Sequence, residues 1–252
     1  MAADRTTRAL LYLDGVNVSF DGFKALRSLS LVLDPGDMRA IIGPNGAGKT
    51  TMMDVITGKT KPDSGDVLFA EGTVDLARHD EAQIAELGIG RKFQKPTVFE
   101  SHTLSDNILL ALAGRRDPFS ALFGSRARVA KTRIDAVLEK VRLADQQRRL
   151  AGELSHGQKQ WLEIAMLLAQ NPKLLLVDEP VAGMTDAETE TTAELLREIN
   201  RDHTVVVVEH DMHFVRALGC RVTCLHEGSV LAEGTIDAVA SNERVVEVYL
   251  GR

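Results

Sequence analysis

The sequence predicts an α/β fold: a largely parallel sheet with an antiparallel β layer ahead of it and a helical segment inserted into it. Three observations carry that prediction. Short apolar runs of strand length alternate with helical patterns along most of the chain. The run at 38–42 leads directly into Gly43-Pro44-Asn45-Gly46-Ala47-Gly48-Lys49-Thr50 and then into a helical pattern that includes Thr51. Another apolar run, at 173–178, ends in the acidic pair Asp178-Glu179.

Taken in order, residues 10–20 and 25–33 read as antiparallel strands joined at Asp21-Gly22, and Pro35-Gly36 closes the second. A buried strand at 38–42 and a helix at 50–56 flank the glycine-rich segment. Ser64-Gly65 turns the chain into a short strand at 66–69. A small helix around 80–87 then precedes a strand at 88–93, which delivers Gln94 to a surface corner. From about 95 to 171 the strand signal fades. One helix is expected at 105–112. A second, at 128–143, carries Val129, Ile134, Val137, Leu138 and Val141 at roughly helical spacing. Between them, 114–125 reads as a loop with Pro118, Gly124 and exposed aromatics Phe119 and Phe123. A helix at 159–169 follows Leu154-Ser155-His156-Gly157-Gln158. Strands return after Asn171-Pro172, at 173–178, 204–208, 222–226 and 230–232.

At 252 residues the chain could hold one large α/β domain or two small ones, and the alternation favours one unit. A formal charge of −6 argues against a nucleic-acid backbone as main partner. The two cysteines, Cys220 and Cys224, lack metal-ligand spacing to any histidine and read as reduced packing residues of a cytosolic protein. The opening Met1-Ala2-Ala3-Asp4-Arg5-Thr6 has no apolar core of a secretion signal, and no apolar run is long enough to span a bilayer. Work at a membrane would need spanning helices from another subunit. The little sequence beyond the last helix argues against a C-terminal regulatory domain.

The glycine-rich segment has the composition of a phosphate cradle. Gly43, Gly46 and Gly48 let successive N–H groups turn inward at the positive end of the next helix. Lys49 supplies a mobile cation for β- and γ-phosphates, and the Thr50 hydroxyl suits a bridging Mg²⁺. A strand buried on both faces must be apolar throughout, and its carboxyl end is where an α/β sheet presents ligands. Asp178 at such an end suits Mg²⁺, and Glu179 suits the activation of a water. The same pair would also serve as a helix cap. Ser155, ahead of a helix, offers its hydroxyl and the amides that follow to an anion, or acts as an ordinary cap.

Together these motifs resemble the nucleotide-binding subunit of an ATP-binding-cassette (ABC) transporter, with the phosphate loop, Gln94, residues 154–158, Asp178-Glu179 and His210 in that family's order. The resemblance covers essentially the whole chain. It implies a RecA-like P-loop NTPase core over 1–252 with an antiparallel β subdomain and a helical subdomain inserted at about 95–171. The implied ligands are ATP and Mg²⁺, the latter held at Thr50, Gln94 and Asp178. ATP would lie between the phosphate loop of one subunit, with Gly43 to Thr51, and Ser155, Gly157 and Gln158 of the other. Glu179, Gln94 and His210 take the catalytic positions in this resemblance, and Phe20 the aromatic that stacks on adenine. A core position at a strand end is the alternative for Phe20. Two departures stand out: His156 where the signature has glycine, and an acidic residue, Asp186, one position later than in many members.

Three stretches, 90–99, 154–163 and 179–185, look like the ATPase of bacterial urea importers, while the ending 245–252 is similar to that group and to branched-chain amino-acid importers. The expectation is an importer ATPase for urea, with a branched-chain amino-acid importer as the alternative and a lipopolysaccharide exporter further off. The resemblance implies a second ATPase subunit, or self-association, at the cytoplasmic face of the inner membrane. It also implies permease contact through Gln94 to Thr103, and a periplasmic binding protein reached only indirectly.

Overall fold

The computed structural model describes residues 8–94, 97–113 and 125–250. In chain order its strands are β1 (Leu11–Phe20), β2 (Phe23–Leu33), β3 (Met38–Ile42), β4 (Ser64–Phe69), β5 (Val74–Asp75), β6 (Ile89–Lys92), β7 (Leu174–Asp178), β8 (Thr204–Val208), β9 (Arg221–His226) and β10 (Ser229–Gly234). The helices are α1 (Lys49–Ile56), α2 (Glu81–Leu87), α3 (Leu104–Ala113), α4 (Ser125–Lys140), α5 (His156–Ala169), α6 (Asp186–Asn200), α7 (Met212–Leu218), α8 (Ile236–Ala240) and α9 (Glu243–Leu250). Among the described residues they form two sheets. An antiparallel one is ordered β2-β1-β4-β5, and a larger one β10-β9-β3-β8-β7-β6. In the larger sheet β9 through β6 run parallel, and only β10 returns antiparallel.

The parallel strands are apolar throughout because both of their faces are covered. Leu175 and Val177 of β7, with Val205 and Val207 of β8, pack against Ile108, Leu162, Leu196 and Phe214 of the helices. Their neighbours Leu174, Leu176, Val206 and Val208 face the other way. They meet α1 at Met52 and Met53, and the antiparallel sheet at Leu11, Leu13 and Leu29. The period of two thus splits each strand between two cores. The hairpin β1-β2 closes on Asp21 and Gly22, at φ +45° and +85°, the pair of positive angles that a two-residue turn matched to strand twist requires.

The structure shifts several predicted bounds. Strand β2 begins at Phe23 because that turn is only two residues long. Helix α4 ends at Lys140 instead of 143, since Arg142 adopts a left-handed φ of +62° and breaks the hydrogen-bond ladder. Val129, expected on the apolar face, is 68% exposed. Its five-residue offset places it about 140° around the helix from Ile134, whereas Val137, Leu138 and Val141 stay on the buried side. Helix α5 begins at His156, three residues before the expected start, so Gly157 and Gln158 lie within its first turn. The aromatics Phe119 and Phe123, with Lys95 and Pro96, lie outside the described residues. Cys220 and Cys224 are free, the latter buried in β9.

Candidate functional site

Strand register brings the separate motifs to one edge. Ile41 pairs with Val208, and Val208 with Asp178, so β3, β8 and β7 end side by side. Lys92 pairs with Val177 on the outer flank. The phosphate loop, Glu209-His210, Asp178-Glu179 and Gln94 therefore all emerge at the carboxyl edge of the sheet, where α/β folds bind ligands.

The loop from Gly43 to Gly48 is tightly constrained. Gly43, Gly46 and Gly48 have φ of +149°, +79° and +99°. A side chain on Gly48 would come within 2.8 Å of the Ala25 carbonyl oxygen and of Leu26 Cδ2, so only glycine fits. The Gly228 N–H donates to the Ala47 carbonyl at 3.1 Å and pins the loop to the β9-β10 turn. Pro44 and Asn45 complete the cradle, and Lys49, Thr50 and Thr51 open α1. Lys49 Nζ donates to the Gly43 and Pro44 carbonyls at 2.6 and 3.0 Å, which leaves its third proton for an incoming oxygen. Burial pushes this ammonium below its usual range, while Glu179 and Asp178 oppose the shift. A glycine cradle around a desolvated cation fits a polyphosphate.

Asp178 closes β7, and burial pushes its carboxyl up while Arg91 holds it down. The Arg91 guanidinium, 5% exposed, spans Asp54 of α1 at 2.5 Å and Asp178 at 3.3 Å, tying the helix behind the loop to the acidic strand. Arg91 drew no notice in the sequence because its partners are 37 and 87 residues away. Glu179 follows in a left-handed conformation, φ +43°, which costs a non-glycine residue about 1 kcal/mol. Its N–H donates to the Val208 carbonyl at 2.9 Å and holds it there. Gln94 Nε2 donates to Glu179 Oε2, and His210 Nδ1 lies 3.6 Å from Glu179 Oε1. Two side chains predicted from distant positions, Gln94 and His210, thus meet on one carboxylate. Buried Glu209 steadies the histidine turn by accepting the backbone N–H groups of Val181, His210 and Asp211.

Ser155 and Phe20 stand apart from this cluster. Ser155 caps α5, where its Oγ accepts the Gln158 N–H at 3.2 Å and Gln158 Oε1 accepts the Ser155 N–H at 3.1 Å. His156 lies exposed over Gly183 with its ring 3.2 Å from Gln160 Nε2. Phe20 is 48% exposed at the hairpin tip, not a core residue, and pairs with Phe23, a second exposed aromatic that the sequence reading passed over.

The chain matches the family model described as ABC transporter over residues 26–182. It belongs to the ABC transporter ATP-binding family. A second family model, described as branched-chain amino acid ATP-binding cassette transporter, matches residues 229–252. Over 97% of its length the cassette is 34% identical to the high-affinity branched-chain amino acid transport ATP-binding protein LivG of Escherichia coli (strain K12), covering 99% of that protein. Among solved structures it resembles the ADP conformation of MJ1267, an ATP-binding cassette of an ABC transporter, with a TM-score of 0.85 and 31% identity over 98% of this chain and all of that one. It also resembles the dimeric post-hydrolysis cassette MJ0796 bound to ADP and Pi, with a TM-score of 0.75 and 27% identity over 90% of this chain and 98% of that one. As a member of this family the cassette uses ATP with Mg²⁺ and hydrolyses the nucleotide in transport.

The helical segment is bound to the Gln94 strand by a buried charge pair that sequence inspection missed. Lys92, fully buried, donates to the Phe93 carbonyl at 2.8 Å and lies 3.9 Å from Glu163 of α5, which also accepts the Thr97 hydroxyl at 2.8 Å. Replacing Lys92 by Met is expected to lower unfolding stability by about 3 kcal/mol, because it leaves Glu163 buried without its countercharge. Urea denaturation of the two proteins checks this, and Lys92→Met paired with Glu163→Leu should recover most of the loss.

Proposed function

We propose that this cassette is the ATP-hydrolysing subunit of an importer, and that Glu179 is its general base. The observation that carries this reading is the meeting of Gln94 and His210 on the Glu179 carboxylate beside the phosphate cradle. Glu179 takes the proton of the attacking water, Gln94 Nε2 fixes one carboxylate oxygen, and His210 stands at the other, where it reaches the terminal phosphate. Lys49 and the amides of residues 43–51 hold the triphosphate, and Phe20 offers its exposed ring to the adenine. Thr50, Asp178 and Gln94 are the residues that would hold Mg²⁺, whose charge offsets that of the phosphate oxygens.

The whole chain is read as a single ATP-binding domain with a helical subdomain at about 95–171. The dimeric relative supports a two-subunit assembly, in which Ser155, Gly157 and Gln158 of one subunit complete the phosphate site of the other. That partner is a second copy or a different ATPase subunit. No helix among the described residues is long and apolar enough to cross a membrane. Attachment to the cytoplasmic face of the inner membrane therefore runs through a permease, docked near Gln94 to Thr103, with a periplasmic binding protein on the far side.

For the solute, the relatives favour a branched-chain amino acid. Urea rests on the resemblance of residues 90–99, 154–163 and 179–185 alone. Uptake of labelled leucine and labelled urea, compared in cells with and without the gene, separates the two. Loss of leucine uptake alone is expected, and loss of urea uptake alone would transfer the assignment to urea.

A further inference from the structure

We propose that Glu188 is a positioning residue for the tip of α5, holding the Ser155 hydroxyl proton until a phosphate from a facing subunit displaces it. The inference rests on the two-subunit reading above and adds a residue to it. Ser155 Oγ accepts the Gln158 N–H and donates to Glu188 Oε1 at 3.0 Å. A serine hydroxyl has a single proton, and here it is committed to a carboxylate. Glu188 is itself fixed, because its other oxygen accepts the N–H and O–H of Thr185, both at 3.0 Å, in the cap of α6. The carboxylate also lies against Gly157, where a Cβ would stand 2.7 Å from Glu188 Oε1. Any larger residue there would push the acid aside.

Two anions cannot share the Ser155 proton at the positive end of one helix without repulsion. A terminal phosphate offered by a partner must therefore break the Ser155–Glu188 bond. The Thr185 N–H, followed by the Ser155 hydroxyl and His156, holds the Glu188 carboxyl below its usual range and keeps it an anion at neutral pH. The contact also spans 33 residues and joins the cap of α5 to that of α6, so release at one cap is felt at the other.

Glu188→Gln tests the idea with little disturbance. Glutamine serves in a capping box as well as glutamate does. With its oxygen on the Thr185 donors, its NH₂ faces Ser155, which turns the hydrogen bond around and frees the serine proton. In the turnover-deficient Glu179→Gln protein, light scattering during ATP titration measures dimer formation. Adding Glu188→Gln should lower the ATP concentration for half-maximal dimer by ~5-fold or more. ADP should show no such gain, nucleotide affinity of the single subunit should be unchanged, and Glu190→Gln, a charge removed on the same helix away from Ser155, should not shift the curve. A stabilised dimer in Glu188→Ala, which removes the acceptor altogether, is the second expected result. An unchanged or higher ATP requirement in Glu188→Gln, or an equal shift in Glu190→Gln, would overturn the inference while the two-subunit reading stands. Absence of any ATP-dependent dimer in Glu179→Gln itself would overturn both.

Discussion

Glu179→Gln is expected to reduce ATP turnover by ~10² or more while ATP still binds, since glutamine keeps the shape of the carboxylate but cannot take a proton. The geometry limits side effects. Glutamine can still accept from Gln94 Nε2, and the bond from the Glu179 N–H to the Val208 carbonyl, which maintains the left-handed turn, does not involve the side chain. Lys49, which meets the triphosphate, is anchored on the Gly43 and Pro44 carbonyls, independently of Glu179. A steady-state ATPase assay together with a nucleotide-binding titration checks both halves, and hydrolysis near the unmodified rate would take the role of base away from Glu179.

Ser155→Arg should abolish turnover to a comparable degree and leave ATP affinity of the isolated subunit unaltered. The side-chain hydrogen bonds of Ser155 run to Gln158 and Glu188, and among the described residues none reaches the loop at 43–51. Loss of the helix cap costs about 1 kcal/mol, too little to unfold a domain of this size. The effect must then come from what the serine does for a facing subunit. Weaker nucleotide binding by the isolated variant would contradict that geometry, whereas intact binding with lost turnover supports it.

Much of the site could be read from the sequence because its pieces obey local rules. A phosphate cradle needs glycines at fixed offsets, and Gly48 shows why, with no room for a Cβ beside Ala25 and Leu26. A strand covered on both faces must be apolar at every position, which exposed β7 and the acids at its end. Helix bounds were less legible. The start of α5 at His156 follows from a reciprocal Ser155–Gln158 cap, and the end of α4 from a left-handed Arg142, neither of which changes the apolar period.

The sequence by itself determined the order of most strands, the glycine cradle and the acidic pair Asp178-Glu179 at a strand end, because chain stereochemistry and apolar periodicity act within a few residues, whereas Gln94 and His210 became candidates through the resemblance to the cassette family. Only the tertiary structure decided which polar groups meet. Arg91 with Asp54 and Asp178, Lys92 with Glu163, and Glu188 with Ser155 are joined across 33 to 87 residues of chain. Such pairings are set by sheet register and helix packing, and a charged side chain carries in its own neighbourhood no mark of the distant partner that burial will force upon it.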